Sequence, residues 1–199
     1  SERSWAVASL TELSFLKDYK GDIDRALASL DEAEKKLDIG MDEELADILK
    51  NRFRLFNKYG IVDKIPALSI KVDSLMSATS DKGVRLMCLE LQIDNAVKAG
   101  HTSEAISLCH DAIGLLETSS DTQGRDTKMY AIQNRLRPLC LATQKYSEAM
   151  DISRKMLAIR EKDSGSDVGM EYFHVAEVYQ ALRDTTKALS YVDSIMNNE

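Results

Sequence analysis

One pattern returns along the chain at nearly constant intervals. Two copies begin with glycine and read GDIDRALASLDEA from Gly21 and GHTSEAISLCHDA from Gly100. Over five copies the key position, usually a small residue, is 26, 65, 105, 149 and 188, so that the intervals are 39, 40, 44 and 39 residues. A fixed period of this length is typical of stacked helical repeats, which constrains the fold more than any other feature of the sequence.

The pattern has a simple physical interpretation. Glycine lets one helix end in the left-handed conformation at little cost, and Asp22 or Thr102 can then cap the next helix. An alanine near the start of that second helix, as at Ala26 and Ala105, lets two helix backbones approach closely. Each unit is therefore a helical hairpin that buries its apolar face only by stacking on a neighbour.

Helical periodicity predicts ten helices in five hairpins and an all-α fold. The hairpins are expected at about residues 4–37, 43–77, 84–117, 127–162 and 168–196, as one domain over residues 1–199. Pro66 falls in a first turn, where it is tolerated, whereas Pro138 is expected to kink or break the seventh helix near Leu136. Because the chain starts at Ser1 without methionine and stops just after a helical pattern, we expect it to be a piece of a longer protein.

Charge and cysteine usage narrow the possible partners and the compartment. The net charge is -7 and no run of five like charges occurs, which argues against nucleic acid as a partner. No apolar run approaches the length of a membrane span. Cys88, Cys109 and Cys140 are widely spaced within helical patterns, which favours buried, reduced thiols in an intracellular protein. The cytoplasm is the favoured compartment, and a nucleus or organelle stays open.

We find no sequence feature that indicates catalysis, a cofactor or a metal site. Glycine-rich phosphate loops, a nucleophile elbow, an H-E-x-x-H helix and close Ser/His/Asp sets are all missing from the sequence. Cys109 and His110 are adjacent, so on a helix they point about 100° apart and cannot share one metal ion without other ligands. The sequence therefore predicts a protein that is not an enzyme.

The last unit resembles the tetratricopeptide repeat (TPR) family. Tyr172, Val175, Ala176 and Tyr179 match the large, large, small and aromatic residues of that family's first helix, and Ala188 matches the alanine of its second helix. The usual unit of the family has about 34 residues. Units of about 40 residues are similar to those of the kinesin light chain type, although its Asn-Asn-Leu signature is not found here. The resemblance implies a right-handed α–α superhelix of five hairpins.

The resemblance also implies candidate partner-binding residues on a concave groove in the second hairpin. They are Lys50, Asn51, Arg54, Asn57 and Lys58. This set is similar to part of the carboxylate clamp with which some members of the family hold an acidic tail. The next hairpin has Met87 and Leu91 where the clamp needs Lys and Arg, so the clamp is incomplete. Either a solvated charged face or a basic patch for an acidic peptide fits the residues.

In the last hairpin the resemblance places Phe173 and Glu177 on the groove. Phe173 could anchor a partner, because aromatic anchors dominate such interfaces, or it could be covered by a further helix. If nothing follows Met196, apolar surface stays exposed on the last hairpin, which predicts self-association through residues 170–196.

Three functions are compatible with this interpretation. The first is a non-enzymatic scaffold or adaptor that binds a segment of a partner protein in the groove. The second is a structural arm of a large multi-subunit assembly, and the third is a regulatory arm of a larger enzyme whose active site lies outside these residues. The step from fold to function rests on the family resemblance.

Overall fold

The described chain is built from helices. The computed structural model describes residues 2–119, 124–162 and 168–196, and no strand occurs among them. In chain order the helices are α1 (Glu2–Tyr19), α2 (Ile23–Lys35), α3 (Asp42–Tyr59), α4 (Ile65–Ala78), α5 (Lys82–Ala99), α6 (Thr102–Glu117), α7 (Arg125–Ala142), α8 (Tyr146–Glu161), α9 (Gly169–Ala181) and α10 (Thr185–Met196). A short 3-10 turn at Val62–Lys64 precedes α4. The predicted all-α fold class is confirmed.

The structure contradicts two local predictions. Helix α7 is not interrupted near Leu136 but continues through Pro138 to Ala142. Pro138 is exposed and lies one turn before the helix ends, so it removes a single hydrogen bond where the helix would soon stop. Thr102 is the first residue of α6 rather than a side-chain cap, and the preceding residue makes no side-chain cap either.

The left-handed turns set the register of the repeat. Helices α1, α3, α5, α7 and α9, which we call the first helices, end next to the positive-φ residues Gly21, Gly60, Gly100, Gln144 and Arg183. The second helices are α2, α4, α6, α8 and α10. Five residues after three of these turns lie alanines that are fully buried, Ala26, Ala105 and Ala149, whereas Ala188 is half-buried. The spacing in the sequence therefore corresponds to close helix packing in the structure.

The chain divides into two compact units, Ser1–Asn95 and Ala96–Glu199. In the first unit, α3 contributes to two apolar clusters. It packs Ile48 and Leu55 against Val7 of α1 and Leu30 of α2. On its other side it packs a second cluster against α4 and α5. The members of the second cluster are Ala46, Leu49, Phe53, Phe56, Leu68, Val72, Leu75, Val84, Cys88 and Leu91.

The second unit repeats this packing between consecutive helices. Helix α6 packs against α7, α7 against α8, α8 against α9 and α9 against α10. Fully buried residues of its core include Ala112, Ile132, Met156 and Val175. Helix α10 differs from the others, because none of its residues is fully buried.

The left-handed turns predict that glycine stabilises the fold at two equivalent positions. Gln144 holds a φ of 60° and its side chain is exposed, so Gln144→Gly should raise the free energy of unfolding by about 0.5–1 kcal/mol. Gly100 has a φ of 75°, so Gly100→Ala should lower it by a similar amount, about 1 kcal/mol. Urea titration followed by circular dichroism measures both. Equal effects of the same sign would contradict the left-handed register.

Candidate functional site

A buried carboxylate joins the first two hairpins where the sequence predicts a partner-binding surface. Asp18, near the end of α1, is only 5% exposed. Its Oδ1 accepts hydrogen bonds from Lys58 Nζ and from the Tyr59 hydroxyl, each at 2.8 Å, and its Oδ2 accepts one from Arg54 Nη1 at 2.5 Å. Three donors on α3 therefore converge on one acceptor group on α1.

Asp18 stays ionised in spite of its burial. Burial alone would raise the pKa of this carboxyl, but the hydrogen bonds from Lys58, Arg54 and Tyr59 together outweigh it. The net result is a pKa well below the ordinary range for aspartate. The ion cluster is therefore intact at neutral pH.

The aromatic ring of Phe15 fixes the position of Arg54 further. The guanidinium carbon of Arg54 lies 4.4 Å from the centre of that ring, which is a cation–π distance. Because Arg54 also binds Asp18, two contacts on α1 hold its side chain. Arg54 and Lys58, predicted as partner-binding residues, thus connect α1 with α3.

The other three predicted residues of α3 differ from one another. Asn51 is buried and its side-chain amide donates to the Asp47 carbonyl of the same helix at 2.9 Å. Lys50 is exposed and Asn57 is half-buried, and neither side chain has a hydrogen bond or ion pair within the described part of the chain. Of the five predicted residues, Lys50 and Asn57 therefore have polar groups that a partner could use directly.

The positions that would complete a carboxylate clamp belong to the core. Leu91 is buried in the second apolar cluster of the first unit, and Met87 packs against that cluster. Neither position could hold a cation without disturbing the core packing. These two positions therefore cannot supply the cations that such a clamp needs.

In the second unit, the two predicted groove residues of α9 have different surroundings. The Phe173 side chain is 51% exposed, and its ring centre lies 6.5 Å from that of His174. The carboxylate of Glu177 forms an ion pair with the guanidinium of Arg137 on α7, which is 7% exposed. Phe173 is thus open to a partner, whereas Glu177 serves to connect two helices.

Sequence reasoning missed a second polar contact between α7 and α9. The Tyr130 hydroxyl donates to Glu171 Oε1 at 2.5 Å, and Arg160 Nε lies 3.5 Å from the same oxygen. Glu171 is 1% exposed and shares one face of α9 with the fully buried Val175 and Val178. In the sequence, a glutamate on the same helical face as two core valines is the pattern that could have identified this buried contact.

His174 lies in the same polar environment and is neutral. It is 7% exposed, and burial lowers the pKa of its imidazole. The Arg137 cation lowers this pKa further, while Glu171 and Glu177 raise it, and the net shift is downward. Protonation of His174 would therefore place a second cation beside Arg137 inside the helix interface.

Two of the three thiols are poorly suited to chemistry at neutral pH. Burial raises the pKa of Cys88 to about 11 and that of Cys140 to about 12, so both stay protonated. Within residues 2–119, 124–162 and 168–196, no group of three His, Cys, Asp or Glu side chains is placed to hold a metal ion. Over the same ranges, no helix is both long and apolar enough to span a bilayer.

The fold has relatives among solved structures. BtubC from P. vanneervenii is similar with a TM-score of 0.75 and 16% identity, over 98% of this chain and 87% of that chain. A protein from Podosopora anserina, described as a kinesin light chain with nearly identical TPR-like repeats, gives a TM-score of 0.72 and 17% identity for one variant, over 99% and 95% of the two chains. Another structure of it gives 0.69 and 17%, over 96% and 95%.

These similarities concern the fold. The predicted TPR-type helical repeat with long units is confirmed, and all three sequence identities are too low to carry an activity or a partner over. No family model matches the sequence. No curated protein matches it either.

The Asp18 cluster predicts a loss of stability when the charge is removed. Asp18→Asn should lower the free energy of unfolding by about 1–3 kcal/mol, because three donors lose a charged acceptor and only the half-exposed side chain of Lys58 can readily reach water instead. Asp24→Asn, on the exposed face of α2, is the matched control and should change little. Since the folded pKa of Asp18 is lowered, its contribution is present above pH of about 4 and is lost as the pH falls further. Urea titrations at neutral and acidic pH test both statements, and equal losses for the two variants would contradict them.

The lowered pKa of His174 predicts a second pH effect with its own window. The unfolded chain binds a proton at His174 more readily than the folded chain does, so the stability should be complete above a pH of about 6.5 and fall below it. His174→Gln should flatten this fall between about pH 7 and about pH 5. The midpoints of urea unfolding across this pH range test the prediction. If the His174→Gln variant loses stability with falling pH as the wild type does, His174 is not the group responsible.

Proposed function

We propose that this chain is a non-enzymatic scaffold that binds an acidic segment of another protein along the exposed face of α3. TPR-like repeats generally mediate protein interactions and are generally non-catalytic, which supports the general part of the proposal. The observation that carries the specific part is the unpaired Lys50, with Asn57 further along the helix, next to two cations that Asp18 holds in place.

The charge of this face favours an anionic ligand. Lys50, Arg54 and Lys58 follow one another at intervals of four residues, so they lie along one side of the helix. Asp18 is buried against Arg54 and Lys58, and Asp47, three residues before Lys50, is exposed. The strip itself contains three cations, although the whole chain carries a net charge of -7. A locally basic strip on an acidic protein selects for an acidic segment that can approach closely.

The fixed side chains should reduce the cost of binding. Immobilising a long side chain at an interface costs about 0.5–1.5 kcal/mol. Arg54 is already held by Asp18 and Phe15, so a ligand does not have to order it. The free Lys50 then supplies a charge, and Asn57 supplies an amide that can donate to or accept from the ligand backbone.

A charge reversal at Lys50 tests the proposal without disturbing the fold. The probe is a synthetic peptide of about ten residues that alternates Glu with Leu, and its binding is measured by calorimetry. Lys50→Glu should weaken binding about fivefold or more, and the difference should shrink in high salt. Lys35→Glu has the same charge change on an exposed lysine of α2 and should weaken binding less.

Two results would refute this function. One is equal binding of the Glu-containing peptide and an analogue with Gln in place of Glu. The other is an equal effect of Lys50→Glu and Lys35→Glu, since that would reflect net charge and not a site on α3.

A second candidate function is a structural arm of an assembly. The observation that favours it is the exposure of large apolar side chains on α1 and α10, among them Trp5 at 78% and Met196 at 72%. Large exposed apolar patches mark interaction sites in folded proteins. Such an arm would keep its contacts when the α3 face is altered.

A further inference from the structure

Neighbouring hairpins contact each other through residues at fixed positions on the first helices, and we call this set of positions a register. Counted back from the positive-φ residue, the positions 12, 8 and 5 residues earlier face the preceding hairpin. On α3 these are Ile48, Arg52 and Leu55. Ile48 and Leu55 are fully buried in one cluster with Leu30 of α2, and Arg52 Nη2 bonds Glu34 of α2 at 2.6 Å.

The same three positions are covered on the first helices of the second unit. They are buried on α9 without exception, and on α7 two are buried and one is half-buried. The residues are Ile132, Leu136 and Leu139 on α7, and Glu171, Val175 and Val178 on α9. The register is therefore a general docking face and not a property of α3 alone.

Three of the second helices present a matching register to the hairpin that follows. It lies 6, 9 and 13 residues after the positive-φ residue, and its members are buried or half-buried on α2, α6 and α8, whereas on α4 Pro66 and Asp73 are exposed. They are Leu27, Leu30 and Glu34 on α2, Ile106, Cys109 and Ile113 on α6, and Met150, Ser153 and Leu157 on α8. In these three hairpins an alanine lies five residues after the turn, and each of them is followed by another hairpin.

Among the described residues, nothing covers the docking register of the first helix α1. The equivalent positions are Ser9, Leu13 and Leu16, and the two leucines are 39% and 61% exposed. Trp5, one turn earlier on the same side, is 78% exposed. Leu16 thus stands where Leu55 and Val178 are fully buried.

Helix α10 has the opposite docking register, and it too is uncovered. Leu189, Val192 and Met196 occupy the three positions and are 56%, 38% and 72% exposed. The first two stand where Ile106 and Cys109 are buried on α6. One chain therefore exposes both halves of the junction that it uses internally.

The two exposed halves also match in polarity. Inside the chain, Arg52 and Glu34 pair across the α2–α3 junction, where Glu34 also binds Lys71. At the corresponding positions, α1 has Leu13 in place of the arginine, and α10 has Met196 in place of the glutamate. Both partners of the ion pair are replaced by apolar residues, so the two faces suit each other and are less suited to water.

We propose that the α10 face of one copy, Leu189, Val192 and Met196, binds the α1 face of a second copy, Leu13 and Leu16, in the register of an internal junction. The contact is heterologous, because different surfaces of the two copies meet. Each added copy leaves one free face of each kind, so association continues with concentration beyond a dimer. This inference is independent of peptide binding on α3, since Lys50 belongs to neither face.

Mixing two variants tests the heterologous contact. Leu16→Glu disables the α1 face and Val192→Glu disables the α10 face, and both residues are exposed, so the fold should survive, as circular dichroism can verify. Sedimentation velocity from about 1 to about 200 µM should show wild-type mass rising with concentration, and each variant alone should associate about tenfold or more weakly. An equimolar mixture should form a discrete 1:1 dimer, because each variant supplies the face that the other lacks.

Each alternative gives a different result. A wild-type monomer at every concentration would overturn the proposal and would leave the faces to another partner or to further hairpins of a longer chain. Self-association of Leu16→Glu as strong as wild type would show two α10 faces meeting each other, which also overturns it.

A disulfide assay supplies a second measurement that does not depend on the glutamate variants. Leu16→Cys and Val192→Cys chains should cross-link on oxidation when mixed, and much less when each is alone. The buried native thiols, with the pKa of Cys88 at about 11 and that of Cys140 at about 12, should not interfere. Equal cross-linking in the mixture and in the separate samples would contradict the proposed register.

Discussion

The fold depends on the left-handed turn that ends each first helix. The turn must place the next helix so that a residue five positions later is buried in the helix packing, as Ala26 and Ala149 are. Glycine adopts this conformation at little cost, yet Gln144 and Arg183 hold it too, at φ values of 60° and 61°. A non-glycine residue accepts such a conformation when the packing around it leaves no better choice. The stacking of helices therefore dictates the turns as much as the turns direct the stacking.

Polar contacts between successive first helices follow the same register as the apolar core. Asp18 bonds Tyr59 in the first unit, and Tyr130 bonds Glu171 in the second, and both pairs are 41 residues apart. These buried ion pairs and hydrogen bonds need exact partners, since a lone buried charge is costly. They determine which cations are paired within the chain, and this is why Lys58 is engaged whereas Lys50 has no ion pair within the described residues.

Local periodicity was enough to predict the helices, but not the state of the candidate site. The spacing of apolar residues and of the turns is contained within each hairpin, so the all-α repeat could be predicted from sequence. Lys50, Arg54 and Lys58 look alike in the sequence, because what separates them is Asp18, which is 36 residues before Arg54 and has no local signature. The same limit applies to Glu171, whose partners come from α7 and α8. Pairs of side chains that are distant in the sequence leave no local pattern from which their contact could be predicted.

The uncovered faces of α1 and α10 correspond to surfaces that neighbouring hairpins cover elsewhere in the repeat. A stacked array is usually closed by terminal units with a polar outer face, because each junction is apolar and needs a neighbour. Here Leu16 and Val192 keep the apolar character of an internal junction, and the Arg52–Glu34 ion pair is replaced by Leu13 and Met196. A polar residue on either face would reduce the apolar surface that the face exposes to water, but the exposed residues of both faces are apolar. The match of the two surfaces in register and in polarity is the property that the proposed contact between two copies requires.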